Sequence, residues 1–199
     1  MYRIIRLLFL SALLSIGVSH AFGVNLYWVG GSGEWNDTKH WSNNSGGKSA
    51  NAIPSVVDNV IFDAQSFTAP NQTVKIIADA NCKDLTWGKV QPGTIFSAPK
   101  NVKISIGGSL TFASNVVNNL DGTIEFTSSQ PCSITSAGKS FKGEIKFNGS
   151  GSWTLTDGIN AAKISLEKGT FITNGKNLVC GSFIGSGSKR YRQFEIIFC

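Results

Sequence analysis

The chain has 199 residues, with 18 Lys+Arg, 12 Asp+Glu and 22 Gly, a length that fits one domain. Charge is sparse and Gly, Ser, Thr, Asn, Val, Ile and Phe dominate, which reads as all-β with many turns and few helices. The formal charge of +6 sits mostly at the ends. Arg3 and Arg6 lie near the start, and Lys189, Arg190 and Arg192 face only Glu195 in the last stretch. Residues 22–188 are left with +2 and no arginine. Phosphate binding needs Lys and Arg clustered on one face, so nucleic acid is excluded as an expected partner.

Residues 1–21 read as a secretory signal peptide. Arg3 and Arg6 form its positive start, Leu7 to Val18 its apolar middle, and Ser19-His20-Ala21 a small-residue cleavage site. The apolar run is short for a bilayer span. No cysteine follows the cleavage site to take a lipid. The mature chain is therefore expected to be secreted or held at the cell surface, without membrane insertion.

Residues 22–66 form a distinct N-terminal unit. Trp28, Trp35 and Trp41 fall close together, around a Gly/Asn-rich loop. One reading makes them a platform for carbohydrate, because indole faces stack on apolar sugar faces and indole N–H groups bond hydroxyls. The other makes them an aromatic cap, because the first turn of a stacked fold would otherwise expose its core. The cap is the favoured expectation, and the three tryptophans remain the candidate ligand-binding residues of the alternative.

Residues 67–188 carry an internal repeat. Leu85-Thr86-Trp87, Ile104-Ser105-Ile106, Ile124-Glu125-Phe126, Ile145-Lys146-Phe147 and Ile164-Ser165-Leu166, then Phe183, follow one another at nearly even spacing. Each phrase is apolar–polar–apolar, so its two large side chains share one strand face. A looser second track runs through Gly108-Ser109-Leu110, Cys132-Ser133-Ile134, Gly151-Ser152-Trp153 and Gly169-Thr170-Phe171. A period near twenty predicts a single-stranded parallel β-solenoid (β-helix) of about 20 residues per turn. An antiparallel sandwich is the competing architecture.

Stacking makes further expectations specific. Leu85, Ile104, Ile124, Ile145 and Ile164 should form one buried column, and Thr86, Ser105, Glu125, Lys146 and Ser165 one outward ladder. Glu125 should then pair with Lys146 in solvent. Cys82 and Cys180 should occupy one slot five turns apart, about 24 Å at ~4.8 Å per strand. A disulfide needs Cα atoms within about 7 Å, so export notwithstanding they should remain small buried thiols. The segment 157–162 reads as a corner.

The residues that carry chemistry are few. His40 is the one histidine after the leader. Nothing resembles a Gly-x-Ser-x-Gly elbow, a zinc spacing, a calcium loop or a glycosidase carboxylate pair. No cofactor, metal or catalytic residue is expected. Outward slots hold mostly Ser and Thr rather than the carboxylate and Lys/Arg clusters of β-helical polysaccharide enzymes. A threonine face for ice is also unsupported, since Thr154-Leu155-Thr156 does not recur. Residues 189–199 are atypical in style. They read either as a closing strand, Phe194 to Phe198, or as the mark of a truncated or frame-disturbed repeat protein.

Tyr27 to Trp35, His40-Trp41-Ser42, Pro54 and Asp58-Asn59-Val60-Ile61-Phe62-Asp63 together resemble the opening of large secreted bacterial surface proteins. Those are adhesin-like, rich in Gly/Ser/Thr/Asn repeats and often exported by the type IX route. The same run is similar to the start of autotransporter-type β-helical repeats, as are Ala80 to Trp87 and Phe147 to Leu155 later. The resemblance implies an exported, non-catalytic β-helical module whose partners are host or environmental surface glycans or other cell-surface proteins. A carbohydrate-binding module built on the tryptophans is the alternative, and a polysaccharide-degrading enzyme a weaker one.

Overall fold

A computed structural model describes residues 22–185. The leader at 1–21 and the tail at 189–199, with Cys199, lie outside the described residues. The described chain is an all-β, parallel β-solenoid of about six turns. Its one helical element is a 3-10 turn at Thr38–His40.

The first turns have three faces. One sheet, A, begins with β1 (Asn25–Trp28) and continues through β4 (Asn59–Phe62), β7 (Leu85–Trp87), β10 (Leu110–Thr111), β13 (Pro131–Thr135), β15 (Ser152–Leu155) and β17 (Thr170–Ile172). A second, B, stacks β2 (Gly33–Glu34), β5 (Thr73–Lys75), β8 (Thr94–Ala98) and β11 (Val116–Leu120). A third, C, stacks β6 (Ala80–Cys82), β9 (Lys103–Ile106), β12 (Thr123–Phe126), β14 (Ser140–Phe147), β16 (Ile159–Leu166) and β18 (Leu178–Gly185). Every pairing is parallel except one: β3 (Trp41–Ser42) folds back antiparallel on β1. That short strand blunts the edge of sheet A.

Sheet B ends at β11, and the last three strands of sheet C are the longest in the chain. The register shifts between Phe141 and Glu144, a bulge that bends one strand over two faces. The turns shorten accordingly. Sheet A stacks Val60, Leu85, Leu110, Ile134 and Leu155 in register, and the step to Leu155 is shorter than those before it. The step from Trp153 to Phe171 is shorter again. The solenoid tapers, and its mean period conceals this.

Corners admit the chain only where side chains permit. At Gly122 a Cβ would stand 2.2 Å from the Val102 carbonyl oxygen, and at Gly143 1.9 Å from that of Gly122. Gly122 thus lies against the backbone of one turn and Gly143, at the β14 bulge, against that of Gly122, approaches that only glycine allows. The Pro92-Gly93 turn also forms as its residues demand, with Gly93 at φ +71°.

The core is a set of side-chain columns. Ile104, Ile124, Ile145, Ile164 and Phe183 stack in register on sheet C. Leu85, expected at the foot of this column, belongs to sheet A instead, between Val60 and Leu110. Ala80 occupies the sheet C slot beneath Ile104. The step from Leu85 to Ile104 crosses from one face to another, and Thr86 leaves the outward ladder with it. The second track lies on sheet A but slips in register: Ile134 pairs with Leu155, and Trp153 with Cys132. An even-numbered slip keeps the same face inward. The stretch 157–162 is not all corner, since β16 begins at Ile159.

Cys82 and Cys180 both lie on sheet C but in different columns, Cys82 beneath Ile106 and Cys180 beside Ala161. They do not share a slot, because counting along the chain cannot tell one face from the next. The conclusion drawn from the count stands, because their strands are the first and last of that sheet and both thiols are free and buried. Burial, with the Asp84 carboxylate nearby, pushes the Cys82 thiol well up, and burial raises Cys180 too. Cys132 is half-buried.

Two outcomes are expected. Ile145→Ala, which empties a position 1% exposed between two isoleucines, should cost about 2–5 kcal/mol in chemical denaturation. The outward Ser105→Ala should stay within about 0.5 kcal/mol, and equal losses would refute the column. In native alkylation followed by peptide mapping, Cys132 should react first and Cys82 only on unfolding. A Cys82–Cys180 bridge would be incompatible with this stacking.

Candidate functional site

Three features bear on function: the tryptophan cluster, the outer face of sheet A and the outer face of sheet C. The tryptophans are interior. Trp28, Trp35 and Trp41 are 0%, 2% and 0% exposed. The Trp28 ring stacks on His40 at 4.5 Å between centroids and meets Trp41 edge-on at 5.0 Å, and Trp41 meets Trp35 at 4.8 Å. The Trp28 indole N–H donates to the Gly31 carbonyl and that of Trp41 to the Trp35 carbonyl, each at 2.7 Å. His40 Nδ1 lies 2.7 Å from the Val29 carbonyl oxygen. Sugar stacking needs an open ring face, and none of the three has one. Their rings continue as Phe62 and Trp87, stacked at 3.8 Å, so the cluster is the first layer of the core.

The outer face of sheet A is hydroxylic, in a pattern sequence reading missed. Ser109 and Thr111, Ser133 and Thr135, and Thr154 and Thr156 are Ser/Thr-x-Thr phrases that fall on three successive turns. Thr-Leu-Thr itself does not recur, but this looser form does, at unequal spacings that a search at fixed period does not find. Thr135 and Thr156 hydroxyls bond each other at 2.7 Å, and Ser109 Oγ accepts the Ser133 backbone N–H at 3.1 Å. Thr156 also donates to the Ile134 carbonyl.

The outer face of sheet C concentrates charge. Glu125 and Lys146 are register neighbours, as expected. Yet the Glu125 carboxylate pairs with Lys103, 2.9 Å away and one strand back, and also accepts the Asn148 amide at 3.1 Å. For Glu125 the diagonal lysine reaches the carboxylate and the directly opposed one does not. Glu125 is only 7% exposed, not the solvated group expected. Glu144 pairs with Lys163 at 3.1 Å and accepts the Ser165 hydroxyl. Burial alone would raise both carboxyls. For Glu125 the hydrogen bonds from Lys103 and Asn148 and the charges of Lys103 and Lys146 outweigh it, so its pKa is lowered. For Glu144 those of Ser165, Lys163 and Lys146 do the same. The bond and charge of Glu125 in turn raise the pKa of Lys103. Both carboxylates are thus held ionised, the wrong state for a general acid.

Five further acidic side chains bond the backbone. Asp79 accepts the Lys103 amide at 2.8 Å and Asp84 the Ser109 amide at 2.7 Å, while Asp157 takes those of Ser136 and Ala137 at 2.8 and 2.6 Å. Each joins one turn to the next. Asp58 accepts the Val24 amide at 3.0 Å together with the Ser55 amide and hydroxyl. Burial would raise the Asp58 carboxyl, and those bonds lower it. Asp37 caps the 3-10 turn through the Lys39 amide. Among the described residues no three His, Cys, Asp or Glu side chains gather to hold a metal ion.

No protein-family model, curated protein or solved structure matches the chain.

Folded-state pKa values below the unfolded ones give Glu125 and Glu144 a definite sign. Their stabilisation is present above the unfolded glutamate value of about 4.3 and is lost as pH falls through the lowered folded values. The melting temperature should hold from pH 7 to about 5 and drop below about 4, with Glu125→Gln showing a shallower drop. Parallel curves for the two proteins would contradict the assignment.

Proposed function

We propose that the chain is a non-catalytic, exported module of adhesin type, acting at the cell surface or in the extracellular matrix. The observation that carries this reading is the employment of the acidic side chains. Asp79, Asp84 and Asp157 staple turns, Asp58 and Asp37 hold local backbone, and Glu125 and Glu144 sit in ion pairs, so these seven are engaged in holding the fold. Rigid parallel sheets offering long, regular outer faces suit a display element. The likeness of residues 25–63 to bacterial surface proteins supports export, and the apolar leader with its Ser19-His20-Ala21 site supports the same route. The tryptophan-based sugar platform is not carried forward, because those rings are core.

Attachment tests the reading. Beads coated with the mature chain should bind at least one immobilised glycan or cell surface several-fold above albumin-coated beads. Incubation with neutral and acidic polysaccharides should release no new reducing ends or unsaturated products. Product release, or attachment no better than albumin, would overturn it.

A further inference from the structure

The ion pairs on sheet C do not consume all of its positive charge. Lys103 and Lys163 are matched by Glu125 and Glu144. Lys146 stands beside Glu125 in register and its charge acts on both carboxylates. Among the described residues it forms no ion pair of its own. A groove of about 270 Å³ opens here, lined by Lys100, Lys103, Thr123, Glu125, Glu144 and Lys146. Lys142 stands at the bulge on the same strand, and its ammonium meets only a neutral acceptor, the Asn119 amide oxygen, at 3.1 Å. Among the described residues Lys100, Lys142 and Lys146 are thus three cations without a carboxylate partner, with Asp121 on a nearby corner.

We propose that this groove binds a linear acidic polysaccharide, its carboxylates meeting Lys100 and Lys146 and its hydroxyls the Thr123 side chain and the rim. The inference deepens the adhesin reading and rests on it for context. Three arguments select this occupant. The uncompensated charge is positive, so the ligand is anionic. Lysines presented singly, without an arginine fork, suit spaced monovalent carboxylates rather than a compact phosphate held bidentately. Strands recur at ~4.8 Å, a repeat comparable to one sugar ring, so charges one or two turns apart address successive or alternate residues of an extended chain. The matched pairs add selectivity. Glu125 and Glu144, already ionised, repel an anion that strays from the lysines.

Affinity electrophoresis of the mature protein through gels containing polygalacturonate tests this, with fully methyl-esterified pectin as the uncharged counterpart. The native protein should be retarded by polygalacturonate only, with retardation falling as salt rises. The double substitution Lys100→Gln, Lys146→Gln should weaken binding at least tenfold, and Lys48→Gln, in the N-terminal loop, should not. Circular dichroism should be unchanged in the double variant and melting should fall only slightly, since among the described residues neither lysine is ion-paired and Lys146 acts on Glu125 and Glu144 through its charge alone. Equal retardation by both gels, equal binding by the double variant, or no retardation of the native protein would each overturn the proposal. Bead attachment separates the two readings. Beads that attach while polygalacturonate is ignored refute the groove alone, and gel binding without attachment to any surface refutes the adhesin role alone.

Discussion

Parallel stacking governs this molecule: each turn must lay its backbone ~4.8 Å above the last, with its inward side chains on those beneath. Strand residues are tied by hydrogen bonds on both sides and cannot gain or lose a residue without turning the core face outward. Length changes are therefore confined to corners and to the bulge in β14. That is where the taper arises: the path from Val60 to Leu85 is longer than the one from Trp153 to Phe171, as sheet B disappears and its course is absorbed into the bent strands of sheet C. It is also where the glycines and aspartates are placed. Gly122 and Gly143 let turns touch, and Asp79, Asp84 and Asp157 satisfy amide groups that the sheets leave over.

The same constraint explains what the sequence disclosed. Apolar–polar–apolar phrases on a period near twenty are legible because the two inward positions of each phrase on β9, β12, β14 and β16 hold only Ile, Phe or Leu. The column Ile104–Ile124–Ile145–Ile164 could be read directly, because its steps stay nearly even. Leu85 could not be placed. Its full turn runs on to Leu110, so the shorter step to Ile104 matches the period of the late turns while only crossing between faces of an early one. The repetition of Ser/Thr-x-Thr on sheet A escaped for the related reason that its spacing drifts with the taper. Counting finds the period of a solenoid, but faces are assigned by register, and register is set by pairing far along the chain.

The charged residues were less legible still. Which lysine meets Glu125 depends on side-chain reach across a twisted sheet, and Lys103 reaches diagonally while the register neighbour Lys146 does not pair. The tryptophans held a different ambiguity. A Trp-rich, Gly-rich segment reads alike as a binding platform or a plug, because both need large flat side chains on a permissive backbone. What separates them is solvent, and solvent access is decided by β3 folding back on β1 and by His40 covering the Trp28 ring.

The distribution of polar groups over the faces then becomes an argument about use. Sheet A presents Ser and Thr hydroxyls bonded to one another or to the backbone, a face whose hydrogen-bonding capacity is partly satisfied within the sheet. Sheet C presents ions in pairs whose lysines stay exposed, and pairs open to solvent on one side stabilise by only about 0–1 kcal/mol. Stability alone gives little reason to gather Lys103, Glu125, Glu144, Lys146 and Lys163 on one face, because the isoleucine column beneath contributes far more per residue. A lattice of fixed charges does, however, hold its members in defined positions, and it sets Lys146 near two carboxylates that are each paired with another lysine. The face is thereby ordered before any ligand arrives, which lowers the entropy lost on binding and makes charge spacing, rather than total charge, the property that a partner would read.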